Sequence, residues 1–294
     1  MRTSEKTERS GLGPQASGLG PTLPRPVARG PTPFSGSWVG IALVLPLMLF
    51  LLAMLVYPLT RLAALALRNG LHIDAAMLVA LRNSIMLSLG VAAVSIVLCI
   101  TPAWALARWP SRFKVVLRSA FAVPLMFSGV VVGFLAILML GRVGLIPTMF
   151  ASLIGVPLGS GAAYGAIGLV AAYLYFEIPR ATLALESAFR DIDIDYEAAA
   201  STLGARPWSR MRRLILPLTR SAIVSTFLLT FSVSLGSYGV ALMLSRRFTL
   251  LPVEIYTAYT GFLDDQRAST MSLMLVMTAL VTGFLTRLVD RRRL

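Results

Sequence analysis

Glu197, Ala198 and Ala199, followed by Gly204 and then by Leu214, Leu216 and Pro217, form the stretch best suited to receive a partner protein. The chemistry such residues offer is docking, not catalysis. Asp191, Asp193 and Asp195 precede a short helix, where a carboxylate can cap free backbone N–H groups and suits the positive helix end. Glu197 and the three alanines after it favour helix and carry little bulk, so the backbone can lie close to another surface. Gly204 predicts a left-handed residue that ends the helix and turns the chain. Arg206, Arg210, Arg212 and Arg213 then surround Trp208, a mixture suited to a membrane surface.

A second group of residues could line a path. Glu177 is the one acid well inside an apolar run, and an intramembrane carboxylate is a functional candidate by default. It either faces a cationic substrate or pairs with Arg180, and the pairing is preferred. Tyr173, Ser237 and Tyr238 offer hydroxyl and aromatic groups to the same path, with plain helix packing as the alternative. Other chemistries lack their residues. Cys99 is the single cysteine and His72 the single histidine, so no metal site, disulfide or catalytic cluster is expected, and no cofactor. Lys6 and Lys114 are the only lysines, and neither follows the glycine spacing of a nucleotide-binding loop. Any ATP hydrolysis therefore belongs to a separate subunit.

The elements that must position these residues are membrane helices. Of 294 residues, 56% are hydrophobic and 14% charged, with mean hydropathy +0.77. Six apolar runs are long enough to span, at about 38–60, 84–107, 115–140, 163–183, 220–244 and 270–288. Residues 1–37 are rich in Pro, Gly, Ser and Arg without apolar periodicity, and read as a disordered basic tail rather than a signal peptide. The N-terminus, the loops at 108–114 and 184–219, and the C-terminus hold 20 of 27 Lys and Arg with their span ends. The positive-inside rule places these segments and both termini in the cytoplasm. The same topology accounts for the formal net charge of +14 without nucleic-acid binding, for which no module is visible.

The order Glu-Ala-Ala-Ala (197–200), Gly204, Leu214-Ile-Leu-Pro217 resembles the "EAA" loop of permease subunits of binding-protein-dependent, type I ABC importers. The likeness extends over about residues 39–290. Tyr57-Pro58-Leu59 closes the first span, and Arg82-Asn83-Ser84 opens a second that ends in Ala105-Leu106-Ala107-Arg108. Pro124 breaks the third, and Gly144-Leu145-Ile146 starts a short external helix. Ala200 to Thr202 depart from the pattern, being uncharged where many relatives carry charge. The resemblance implies an all-α, six-span protein of the bacterial inner membrane. It implies a second permease subunit, identical or related, a cytoplasmic ATPase dimer docked on the two EAA loops, and an extracytoplasmic substrate-binding protein. The branch it most resembles includes polyamine, thiamine, ferric-ion and phosphonate importers. The rivals weighed are an ion-coupled secondary transporter, for which Glu177 alone speaks, and a membrane-embedded enzyme.

Overall fold

Small and hydroxyl side chains at helical spacing decide how the helices meet. Ala80, Ser84, Ser88, Ala92, Ser95, Cys99 and Ala103 recur every three or four residues along α2 (Ala75–Arg108), and all are buried. Ala222, Thr226, Thr230 and Ser234 repeat every four along α9 (Leu216–Gly236). Such stripes let helix backbones approach closely. Accordingly α2 packs against both α9 and α6 (Ala166–Arg190), and α6 against α9.

The computed structural model describes residues 37–68, 70, 72–109, 111–141, 144–154, 165–245 and 248–291. All of the regular structure described is helical. The tail expected to be disordered lies outside these residues except at its last position, as do Arg246, Arg247 and the beginning of the fourth expected span. The chain divides into residues 1–56 and 57–294. In the first unit, α1 (Ser37–Leu67) begins, and its side chains from Val44 to Val56 are all exposed.

In the second unit the third expected span is two helices. α3 (Ser111–Ala122) gives way at Pro124 to a 3-10 turn (Val123–Met126), and α4 (Gly129–Leu140) follows, with Ser128 as its N-cap. The short helix expected after Gly144 is α5 (Leu145–Ile154). α7 (Ile194–Thr202) and α8 (Pro207–Arg210) come after α6. α8 continues through a π-helical segment (Met211–Ile215) into α9 without interruption. α9 breaks at Ser237, and α10 (Tyr238–Leu244) resumes beyond it. α11 (Leu251–Tyr256), starting beside Pro252, and α12 (Asp265–Arg291) complete the chain.

Among the described residues, five helical stretches are long and apolar enough to cross a membrane: Val44–Leu67, Ala75–Arg108, Gly129–Met149, Pro207–Gly236 and Asp265–Val289. The expectation was six. The run at 163–183 does form a helix, α6, but it is not among the five. α6 carries Glu177, Arg180, Glu186 and Arg190 along an otherwise apolar length. It also has Tyr173, Leu185 and Phe189 among its fully buried side chains. Elsewhere large apolar side chains such as Met86, Val97, Phe134 and Leu280 stand exposed on helix surfaces, the arrangement that suits hydrocarbon rather than water.

Candidate coupling site

α7 is held at both ends by local chemistry. Asp193 is its N-cap, and the Asp193 carboxylate accepts a hydrogen bond from the Asp195 N–H at 3.1 Å. At the far end Gly204 has φ +76°, the left-handed conformation that its position predicts. The Gly204 N–H donates to the Ser201 carbonyl at 2.9 Å, and the Ala205 N–H to the Ala200 carbonyl at 3.0 Å. These paired bonds form a Schellman closure. Open space surrounds the point where a Gly204 Cβ would lie, so a side chain there meets backbone strain and no clash. Gly204→Val should therefore tilt the link between α7 and α8 at a cost of about 1–2 kcal/mol, more than Gly204→Ala. The expected result is a reduced yield of ATPase co-purified with the tagged permease. Wild-type yield would remove the turn from the account.

Glu197 faces inward. Its Oε1 accepts from Arg108 Nε at 2.7 Å, and Arg108 Nη2 lies 2.6 Å from the same oxygen. Arg108 Nη2 also donates to the Ile192 carbonyl at 3.2 Å. The last residue of α2 thereby grips both α7 and the chain leading into it. Arg210 of α8 reaches back to the Ser201 hydroxyl and to the Glu197 carbonyl. Ala198 and Ala199 stand exposed. With Tyr196, Leu203 (87% exposed) and Trp208 (72%), they give this part of the chain a bare, largely apolar surface. Leu214 and Leu216 are half-buried, and Leu216 packs against the cluster that holds Phe189, Met211 and Ile215. Pro217 is exposed in the first turn of α9.

One anchoring residue was not found in the sequence. Glu186, fully buried near the end of α6, has Arg118 Nη2 at 2.7 Å, Lys114 Nζ at 3.2 Å and Arg190 Nε at 4.0 Å. None of these is aligned as a hydrogen bond, so the hold is ionic rather than directional. It ties α3 to the end of α6, four residues before the link to α7. The Glu186–Arg190 spacing was legible as an i,i+4 pair, whereas Lys114 and Arg118 meet it only in the fold.

The residues suggested for a path lie further along α6 and at the α9–α10 break. The Tyr173 hydroxyl donates to the Ser237 carbonyl at 2.8 Å, which occupies the acceptor freed by the break. Glu177 is fully buried, and Arg180 Nη1 donates to its Oε1 at 2.7 Å, the pairing preferred from sequence. The Tyr238 ring lies 5.2 Å from that of Tyr256. The structure joins Tyr173 to Ser237, but joins neither to Glu177 by any direct hydrogen bond among the described residues.

Residues 95–294 match the model of the family described as "Binding-protein-dependent transport system inner membrane component". The chain belongs to that family. It is thus a permease, a membrane component of an ABC importer, and the secondary-transporter and enzyme rivals give way. The permease is 34% identical over 206 residues to the molybdenum transport system permease protein ModB of Mycobacterium tuberculosis, covering 67% of this chain and 75% of that one. A putative ferric transport system permease protein, FbpB 1 of Haemophilus influenzae, is 29% identical over 199 residues, 67% of this chain but 31% of that one. A crystal structure of a bacterial ABC transporter that imports alginate has the same fold, with TM-score 0.73 and 19% identity over 87% of this chain and 96% of that one. These likenesses bear out the importer permease and do not single out the expected polyamine, thiamine, ferric-ion and phosphonate branch. The molybdenum permeases match more of their own length than the ferric one, and ModB of Mycobacterium tuberculosis does so at higher identity. The signals read in the sequence lie mainly in the candidate coupling loop and carry no information on substrate.

Proposed function

We propose that this permease carries molybdate across the inner membrane and couples that passage to a cytoplasmic ATPase dimer through α7. The observation that carries the substrate is the likeness to ModB proteins over two thirds of the chain. Coupling is supported by the geometry around Glu197. A docking helix transmits motion only if it is tied to the spans, and α7 is tied to α2 through Arg108 and joined to α6 and α8 by links of a few residues. Its exposed side offers small and apolar side chains to the ATPase. α6 is the sixth crossing, its charges paired within the protein, and both termini are cytoplasmic with the arginine-rich loops. A second permease, identical or related, completes the pathway. An extracytoplasmic binding protein delivers the anion.

The test is uptake of radiolabelled molybdate into proteoliposomes holding the permease, its ATPase and its binding protein. Accumulation that needs both ATP and the binding protein, is competed by tungstate and is indifferent to spermidine and ferric ion is the expected result. ATP-driven accumulation of a polyamine or of ferric ion without molybdate would overturn the substrate.

A further inference from the structure

We propose that a cavity beside the α9–α10 break is an oxyanion subsite on the transport path, with Arg180 as its ligand and Glu177 as the residue that positions Arg180. This inference rests on the molybdate reading above and gives that reading a place in the protein. The cavity measures about 260 Å³. At roughly 30 Å³ per water, it has room for an oxyanion of five heavy atoms together with some of its hydration. Its walls include Pro124 and Phe127 at the turn between α3 and α4, Phe176 and Arg180 of α6, and Gly236 and Ser237 at the break.

Among the described residues, Arg180 is the only charged one lining the cavity. Its partner Glu177 is fully buried and absent from the lining, so the space meets the guanidinium and not the carboxylate. Glu177 engages Nη1, and the face of the Phe176 ring lies 5.6 Å from Arg180 Cζ. The guanidinium is thus fixed from one edge and one face. Its other N–H groups have no protein acceptor among the described residues, and its side chain is 31% exposed. A planar fork of N–H donors matches two oxygens of a tetrahedral oxyanion, as it does those of phosphate. A lysine in the same place supplies charge without the fork.

The cavity also shares a wall residue with a second space. Gly236 lines it and lines a second cavity of about 530 Å³, in which Tyr238, Tyr256, Ser269 and Ser272 take part. Gly236 thus borders both spaces, next to the break that the Tyr173–Ser237 hydrogen bond holds in place.

The experiment measures equilibrium binding of radiolabelled molybdate to the purified permease–ATPase complex without binding protein, beside the uptake assay. The wild-type complex is expected to bind saturably. Glu177→Gln with Arg180→Gln removes both charges at once, so neither is left buried without its partner, the loss that makes breaking an ion pair from one side costly. This double variant is expected to assemble with the ATPase and to lose at least tenfold in molybdate binding and in uptake. Arg180→Lys, which keeps a cation against Glu177, is expected to weaken binding severalfold. It provides the test should the double variant not assemble. Wild-type binding in both variants, or no saturable binding by the wild-type complex, overturns the subsite. If wild-type complexes still import molybdate, the substrate reading survives that loss. If they import none, the substrate reading fails first and the subsite falls with it.

Discussion

Complexes carrying Glu197→Lys are expected to import at no more than a tenth of the wild-type rate, while ATPase still co-purifies with the permease. The reason is the inward position of Glu197. Its carboxylate holds Arg108, and Arg108 also holds the Ile192 carbonyl, so one ion pair fixes α7 and its approach to the end of α2. Both side chains are mostly buried, at 19% and 10% exposure. Removing one partner of such a pair costs about 3 kcal/mol, and a lysine adds repulsion to the loss. The exposed face made by Tyr196, Ala198, Ala199 and Leu203 is untouched, so docking persists while the lever slips. The charge swap Arg108→Glu with Glu197→Lys separates this account from a direct contact between Glu197 and the ATPase. Partial recovery of uptake is expected from the swap. An uptake that stays lost would move Glu197 from the lever to the ATPase interface.

Gly239→Leu is expected to prevent a stable fold. A Cβ on Gly239 would lie 2.7 Å from Val130 N and 2.9 Å from Gly129 C, and both atoms are backbone. No rotamer relieves such a contact, so α10 must leave α4. Overpacking of this kind costs about 1–3 kcal/mol where side chains can yield, and backbone against backbone lies at or beyond the upper end. Gly90→Ala is the control, because no atom lies within 4 Å of its added Cβ and alanine favours the helix. Size-exclusion profiles and melting temperatures in detergent check both. A monodisperse Gly239→Leu protein that melts with the wild type would remove the α4–α10 crossing from the fold.

The coupling loop was the most legible part of the chain because its determinants are local. A capping aspartate, a run of alanines and a glycine each act within a turn of helix, so Asp193, α7 and the left-handed Gly204 all stand where their residue types put them. What lay beyond reach was tertiary. Arg108 and Glu197 are 89 residues apart, and no periodicity joins them. The pairing of Lys114 and Arg118 with Glu186 is of the same kind. The fourth span was drawn from hydropathy, but α6 keeps its charges by pairing them inside, which hydropathy alone does not register. Gly129 and Gly133, a close pair in sequence, each meet α10 of the same chain. Substrate was beyond the sequence for another reason. The residues that carry the resemblance lie in the candidate coupling loop, while the residues facing the cavity at Arg180 come from separate parts of the chain.

ATP hydrolysis is proposed to reach this permease at the exposed side of the 194–204 segment. A photo-crosslinking amino acid in place of Leu203, in the complex assembled in membranes, tests it most directly, since that side chain is 87% exposed and makes no part of the Arg108 lock. The account predicts an adduct of permease and ATPase on illumination. A transport-competent complex that forms no such adduct at this position would contradict it.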